Sequence, residues 1–374
     1  MKYCRFFFIL KRRSILYNGR GEKMKQRLPL LFVIICISSV LMWGAFSCIS
    51  IEKNNKSQEE VVAQITPLAE SAIVMDMSTT RVLYAHQEKK KMLPASITKI
   101  LTCITCLEYY QLDDLVVVGK EVLQSEGSAI YLKIGDVISI RDLLYGLMLC
   151  SGNDAAIVLA YHLNQNESDF IYLMNKMARK IGMKDSVFSN PSGLDSKTQN
   201  YTTAYDMALL MSYAMKNEMF RTIVGTKNYQ CNIATGTKMY FRNKHRLIQS
   251  GLATGGKTGY TKQARRTLVS TFVQSNFEIV VVTLNCSNDW YFHEQLATYA
   301  FSKYQPHQVL SLFEFYKATL DYGKYDVTNL QLSVPILTDE RVAYQLIFLQ
   351  DGLDIVYLVE DQVIGHSFVK RVKT

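Results

Sequence analysis

Three short stretches of the sequence carry residue types that could do chemistry together. The first is Ser96-Ile-Thr-Lys99, the second is Ser151-Gly152-Asn153, and the third is Lys257-Thr258-Gly259. A serine hydroxyl is a weak nucleophile until a base takes its proton. These residue types therefore suggest catalysis by an activated serine.

Lys99 is spaced to act as the base for Ser96. Pro94 and Ser96 suit a helix start before the apolar stretch from Ile97 to Leu107, and residues three apart share one helix face. Unpaired N–H groups and the helix dipole favour negative charge in that first turn. A lysine is a base only when its amine is neutral, and burial or a second cation such as Lys257 lowers a lysine pKa.

Each stretch alone has an ordinary structural explanation. Ser-x-x-Lys recurs by chance in a long chain, Ser-Gly-Asn is a helix break, and Lys-Thr-Gly is a turn beside a strand. In combination they are more specific, because their order and contexts agree. The first opens a helix, the second breaks one, and the third enters a strand whose hairpin partner follows.

With this order and context, the chain resembles the serine D-alanyl-D-alanine carboxypeptidases, the low-molecular-weight penicillin-binding proteins. The similarity runs from about Ala63 to Tyr304 and includes SGNDAAIVLA, GMKDSVFSNPSGLD and TTAYDMALLMSYAM. TGGKTGYTKQARRTLVS resembles the third motif, but the family usually carries glycine where Arg265 stands. That departure puts the local backbone geometry in question rather than the activity.

The resemblance implies a role for each residue of the first two motifs. Ser96 would attack the carbonyl of the penultimate D-Ala and form an acyl-enzyme, with Lys99 as general base. Ser151 would relay a proton to the leaving amine, and Asn153 would hold a substrate amide.

The third motif would bind the substrate. Lys257 and Thr258 would hold the terminal carboxylate through charge-assisted hydrogen bonds, and Gly259 would keep the strand open. The backbone N–H groups of Ser96 and Tyr260 would form the oxyanion hole. The implied partners are peptidoglycan stem peptides ending in D-Ala-D-Ala and β-lactam inhibitors, which acylate the same serine.

Two alternatives share the motifs or the fold. A class A β-lactamase needs a Glu-x-x-Leu-Asn loop between the second and third motifs, where NPSGLD stands instead. A catalytically inactive cell-wall-binding scaffold would fit degenerate motifs, but all the motif residues are present. A histidine-based hydrolase is disfavoured because no Gly-x-Ser-x-Gly elbow occurs, and His162 and His293 are interpreted as structural.

The remaining patterns predict an α/β fold. SAIVMDMSTTRVLYAH indicates two strands around Ser78-Thr79-Thr80, and RTLVSTFV and FEIVVVTL indicate a hairpin around Ser275-Asn276. Ser139 and Thr203 each stand three residues before an aspartate, which is typical of a capped helix start. Helices between two sets of strands favour an antiparallel sheet packed with helices, and the resemblance implies the serine β-lactamase/transpeptidase-like fold.

Two domains follow from these patterns. Residues 63–304 are predicted to form the penicillin-binding carboxypeptidase domain. Residues 305–374 are predicted to form a small β-rich domain, in which the helical run LSLFEFYKATL precedes NLQLSVPIL, AYQLIFL and DIVYLV.

The N-terminus predicts export. Residues 24–47 combine basic residues with the uncharged run from Leu28 to Phe46, a pattern of a signal peptide or of an uncleaved membrane anchor. Cys48 suggests a lipoprotein cysteine, for which the preceding residues match poorly. Residues 1–23 are a basic leader or an over-called start, and residues 48–62 are a polar linker. An extracytoplasmic protein, associated with the cell wall or membrane, is expected.

Composition narrows the partners further. The net charge is +9, yet no dense Lys/Arg stripe with interleaved aromatics occurs, so nucleic acid is disfavoured. The eight cysteines are too sparse for a disulfide scaffold. Cys103 and Cys106 lie in an apolar helical stretch and are predicted to be small buried side chains. No residue cluster has metal-ligand spacing, so the sequence predicts neither a metal nor another cofactor.

Overall fold

The computed structural model describes residues 65–234, 236–319, 325–327, 330 and 332–372. The predicted leader 1–23, the signal peptide or anchor 24–47 and the linker 48–62 lie outside these residues and stay predictions. Within the described part, no helix is both long and apolar enough to cross a bilayer.

The strands and helices of the described residues are labelled in chain order. The strands are β1 Ala69–Asp76, β2 Val82–His86, β3 Leu115–Val117, β4 Val137–Ser139, β5 Asn228–Asn232, β6 Lys238–Arg242, β7 Gly255–Thr261, β8 Arg265–Gln274, β9 Phe277–Cys286, β10 Gln305–Gln308, β11 Ser333–Ile336, β12 Val342–Phe348, β13 Gly352–Val359 and β14 Gln362–Lys370. The helices are α1 Lys99–Tyr109, α2 Ile140–Leu149, α3 Asn153–His162, α4 Glu167–Ile181, α5 Ala204–Ala214, α6 Glu218–Gly225, α7 Arg246–Ser250, α8 Asp289–Lys303 and α9 Leu312–Thr319, with short 3-10 helices at Ala95–Thr98 and Lys120–Gln124.

A five-stranded antiparallel sheet forms the frame of the larger part of the chain. Its strand order is β2-β1-β9-β8-β7. Both predicted hairpins are confirmed, and Ser275 and Asn276 between β8 and β9 have φ values of 47° and 65°, as a two-residue hairpin turn requires. β7 lies at the edge, so one of its sides has no neighbouring strand among the described residues.

Alternate side chains of the sheet face two different helical layers. Ile73 and Val282 pack with residues of α1 to α6, whereas Val74 and Val281 pack with residues of α8. All four side chains are fully buried. The sheet is therefore a middle layer between helices, and the predicted α/β fold class is confirmed.

The start of α1 differs from the prediction. A helix was expected from Ile97 onward, but a 3-10 turn covers Ala95–Thr98 and the α-helix begins at Lys99. Cys103 and Cys106 of α1 are fully buried and form no disulfide. Their interpretation as small core side chains is confirmed.

The two predicted helix caps are present. Ser139 Oγ accepts a hydrogen bond from Asp142 N at the start of α2, and Thr203 Oγ1 accepts one from Asp206 N at the start of α5, each at 3.0 Å. Each bond satisfies an N–H group that the helix leaves unpaired. Residues 150–152 separate α2 from α3, which is the predicted helix break.

The C-terminal residues have a hydrophobic core of their own. Leu353, Ile355 and Tyr357 of β13 lie in it, beside Phe315 of α9. β12, β13 and β14 form an antiparallel sheet that is separate from the five-stranded one. The order of a helix followed by strands agrees with the sequence pattern, while the domain boundary at residue 305 stays a prediction.

Arg81 joins the two parts of the molecule. Its guanidinium donates to both carboxylate oxygens of Glu340, at 2.6 and 2.9 Å, and to the carbonyl of Pro335. It also lies 5.3 Å from the ring centroid of Tyr304. The Arg81 side chain is only 7% exposed, so its ion pair with Glu340 is shielded from water. This ion pair holds the C-terminal part of the chain against the start of β2.

Arg265 has a backbone conformation that suits glycine. It opens β8 with a φ of 60°, and its side chain is exposed. The left-handed region is unfavourable for a residue with a Cβ atom. The departure from the family's usual glycine is therefore a local conformational cost.

We expect Arg265→Gly to raise the free energy of unfolding by up to about 1 kcal/mol, because relief of roughly 1–2 kcal/mol of left-handed strain exceeds the added chain entropy of glycine. Thermal unfolding measures the change. Arg242→Gly, at an exposed strand position where φ is not positive, is the control and should lower the melting temperature. A lower melting temperature for Arg265→Gly as well would contradict the expectation.

Candidate active site

Lys99 lies at the centre of a buried hydrogen-bond network. Its Nζ donates to Asn153 Oδ1 and to the backbone carbonyl of Ser192, each at 2.6 Å, and lies 3.0 Å from Ser96 Oγ. The side chain is 0% exposed. A neutral amine has two N–H bonds, which Asn153 and Ser192 use, so its lone pair is left for the Ser96 hydroxyl.

The electrostatics of the site favour that neutral amine. Burial holds the pKa of Lys99 well below its usual value, and the positive charges of Lys257 and Lys244 lower it further. Burial also lowers the pKa of Lys257 to about 7, again with a contribution from Lys244. The arrangement thus suits Lys99 to act as a base.

Ser96 is held in a tight turn against the edge strand. Ala95 before it has a φ of 50°, and Thr267 Oγ1 donates to Pro94 O at 2.8 Å. A Cβ atom on Gly259 would lie 3.0 Å from Ser96 N. Glycine at that position therefore lets β7 approach the backbone of Ser96.

The bend between α2 and α3 carries the second motif. Ser151 has a φ of 62° and is 5% exposed. Asn153 contacts Lys99 through Oδ1 and donates through Nδ2 to Glu126 O at 2.5 Å. Ser151 is not one of the hydrogen-bond partners of Lys99, so its role as a proton relay stays a prediction.

The third motif lies on β7, the edge strand. Lys257 is 2% exposed and its Nζ donates to Thr258 O at 2.8 Å, whereas Tyr260 is 60% exposed. The side of β7 without a neighbouring strand can pair with an extended peptide. The three motifs converge in the structure. Strand β7, with the third motif, contacts the turn that carries Ser96, and Asn153 of the second motif contacts Lys99 of the first.

The NPSGLD segment contributes a partner that the sequence analysis did not assign. Asn190 Oδ1 accepts from Ser192 N at 3.2 Å and from Gly193 N at 2.7 Å, which holds the Ser192 carbonyl in place. Asn200 Nδ2 donates to Thr98 Oγ1 at 3.1 Å, which ties the segment to the turn of Ser96. The Asn-Pro-Ser-Gly sequence indicates a turn, but it does not indicate which backbone carbonyl of that turn accepts a hydrogen bond from Lys99.

Lys244 is a second residue that no motif marked. It lies between β6 and α7, with Nζ 3.4 Å from Ser128 Oγ, and its charge acts on both Lys99 and Lys257. Its proximity to the site follows from the path of the β5–β6 hairpin, which runs beside α2.

The chain is similar in sequence to known proteins of one family. The family model for D-alanyl-D-alanine carboxypeptidase matches residues 55–288. The D-alanyl-D-alanine carboxypeptidase DacF of Bacillus subtilis is 29% identical over 291 residues, which cover 75% of each chain. DacC of Escherichia coli is 33% identical over 244 residues, which cover 62% of this chain and 60% of that relative.

Solved structures show the same likeness. The DD-transpeptidase of Streptomyces K15 superposes with a TM-score of 0.60 at 29% identity, covering 64% of this chain and 99% of that one. A D-alanyl-D-alanine carboxypeptidase of Mycobacterium tuberculosis superposes with a TM-score of 0.61 at 29% identity, covering 64% and 95%. Because the family model spans well over half of the sequence, the chain belongs to the D-alanyl-D-alanine carboxypeptidase family of serine peptidases.

Proposed function

We propose that this chain removes the terminal D-Ala from peptidoglycan stem pentapeptides through an acyl-enzyme on Ser96. The observation that carries the proposal is the fully buried Lys99 amine, 3.0 Å from Ser96 Oγ, with its N–H groups donated to two other acceptors. Such an amine can take the serine proton, and few structural roles require a lysine in that state.

Acylation uses Lys99 and the edge strand together. Ser96 Oγ attacks the carbonyl carbon of the penultimate D-Ala while Lys99 Nζ accepts its proton. The backbone N–H groups of Ser96 and Tyr260 stabilise the resulting oxyanion, and losing one such donor typically costs about 10²–10³-fold in rate. The close approach of β7 to the Ser96 turn supports this pairing of donors.

Breakdown of the intermediate releases the product. The carbon–nitrogen bond breaks as the proton held by Lys99 is relayed through the Ser151 hydroxyl to the leaving amine, and free D-Ala departs. Asn153, fixed by Lys99 and Glu126, holds an amide of the substrate. Water then hydrolyses the ester and restores Ser96.

Lys257 and Thr258 account for the choice of a C-terminal substrate. The buried Lys257 amine at the edge strand can offer a protonated donor to the terminal carboxylate, next to the Thr258 hydroxyl. Penicillin carries a carboxylate and a reactive carbonyl, so it acylates the same serine. The competing β-lactamase and inactive-scaffold interpretations find no support, because the motif residues meet and the NPSGLD segment presents a backbone carbonyl to Lys99.

The proposed substrate indicates where in the cell the protein acts. Peptidoglycan lies outside the cytoplasm, and the family's activity on it implies an extracytoplasmic protein. We propose that residues 24–47 direct export and either leave as a signal peptide or remain as the membrane anchor, with residues 48–62 as the spacer.

Ser96→Ala should abolish covalent labelling by a fluorescent penicillin, because the acyl acceptor is gone. Gel fluorescence measures the labelling, and thermal unfolding shows whether the variant is folded. The matched control is Ser302→Ala, on α8 and on the opposite side of the sheet, which should label like the parent protein. Labelling retained by folded Ser96→Ala would contradict the proposed mechanism.

Lys257→Ala should lower kcat/KM for peptides ending in D-Ala-D-Ala by about 10–100-fold, the usual loss when one charge-assisted hydrogen bond of about 1.5–3 kcal/mol is removed. Release of D-Ala measures the rate. Lys262→Ala, at an exposed position just beyond β7, is the control. Unchanged kinetics for Lys257→Ala would contradict the hypothesis that Lys257 binds the carboxylate.

The pH profile of kcat/KM should fall as pH rises through about 7, because Lys257, whose pKa burial lowers to about 7 in the free protein, then loses the charge that binds the carboxylate. In Lys257→Arg the cation persists at high pH, so the fall should move to higher pH. The acid limb should be alike in both proteins, because Lys99 and the positive charge beside it are kept there. Coincident alkaline limbs would show that another group is responsible.

A further inference from the structure

A buried histidine stands directly behind the substrate-binding strand. His245 lies between β6 and α7, is 1% exposed, and packs edge to face with the Trp290 ring at 5.1 Å between centroids. Its backbone N–H donates to Asn243 Oδ1 at 3.0 Å. The ring is therefore fixed in place by its own loop and by α8.

The imidazole contacts the ladder partners of Lys257 and of the glycine before it. His245 Nε2 lies 3.1 Å from Val269 O and 3.0 Å from Ser270 Oγ. Val269 pairs with Lys257 and Ser270 pairs with Gly256 in the β7–β8 register. The histidine thus acts on the strand segment from which the lysine side chain projects.

Gly256 leaves the space that the imidazole fills. Its φ is 151°, and a Cβ atom there would overlap Val269 O and would lie 2.7 Å from His245 Nε2. A side chain at this position would push the ring away from the strand. The contact between His245 and the backbone before Lys257 depends on this glycine.

The proton positions follow from the partners. A carbonyl only accepts, so Nε2 of His245 carries the proton that it donates to Val269 O. Ser270 Oγ lies 2.9 Å from His293 Nδ1, and His293 Nε2 lies 2.9 Å from Thr283 Oγ1. Nδ1 of His245 has no hydrogen-bond partner among the described residues.

Burial keeps both rings neutral. It lowers the pKa of His245 to about 3 and holds the pKa of the fully buried His293 well below its usual value. The contacts of His245 with Val269 and Ser270 and those of His293 with Ser270 and Thr283 therefore involve uncharged groups across neutral pH. An uncharged support stands behind the cation that is to bind the substrate.

We propose that His245 is a positioning residue for Lys257, an inference that rests on the proposed carboxylate-binding role of that lysine. The ring donor fixes Val269 against β7 at Gly256, so that the Lys257 amine is held where the carboxylate arrives. Loss of the donor leaves the Val269 carbonyl without this partner and lets the strand relax.

The test compares acylation by benzylpenicillin and by its methyl ester, which lacks the carboxylate that Lys257 binds. In His245→Leu, acylation by benzylpenicillin should slow about tenfold, as expected for a lost buried donor, while acylation by the ester is unchanged. His245→Gln, whose amide N–H can replace the ring donor, should restore the parent ratio of the two rates. Lys257→Ala gives the ratio for complete loss of the carboxylate contact.

A purely structural role for His245 predicts equal slowing with both compounds, which would overturn the proposal. If His245→Leu does not fold, Ser270→Ala, a small change that removes one partner of the ring, should shift the same ratio in the same direction. An unchanged ratio in Ser270→Ala would then overturn the proposal. If the parent protein itself is not acylated by benzylpenicillin, that result contradicts the proposed function and not the positioning role of His245.

Discussion

The burial of one amine is the constraint on which the site depends. Lys99 has its side chain fully inside the protein, and an ammonium there would be costly unless paired. The surrounding acceptors are one side-chain amide oxygen and one backbone carbonyl, each neutral. They orient the amine without balancing a full positive charge, so the neutral, basic form is favoured.

The neighbouring cations strengthen this preference and serve a second purpose. Lys257 and Lys244 lower the pKa of Lys99, and Lys257 also has the position to meet an anionic substrate. Two lysines close together cannot both hold a proton easily. A carboxylate bound at Lys257, as proposed, would relieve that repulsion, so binding of the anion and the distribution of protons in the site would be coupled.

Two residues of the candidate site have backbone conformations that are unfavourable for residues with a Cβ atom. Ala95 and Ser151 both have positive φ, one beside Ser96 and the other on the helix break. Such residues persist only where surrounding contacts over-determine them. The Thr267 bond to Pro94 and the polar network of Asn190 and Asn200 are contacts of that kind.

Much of this protein was determined by local sequence. The three motifs, the capped helices and the two hairpins follow from residue spacing, because each depends on neighbours a few positions away. The prediction that the cysteines of α1 are buried was confirmed for the same reason. The 3-10 turn at Ser96 was missed, since the choice between two tight helical turns depends on the strand packed against it.

Only the tertiary structure decided which groups meet Lys99 and what supports Lys257. The Ser192 carbonyl stands 93 residues from Lys99 along the chain, and a backbone carbonyl has no residue type by which to recognise it. No local pattern marks His245, because its proposed role depends on the absence of a side chain at Gly256 and on the register of β7 and β8. Residue types and local spacing identify the chemistry, whereas pKa values and hydrogen-bond directions arise from burial and long-range contacts, which exist only after the chain has folded.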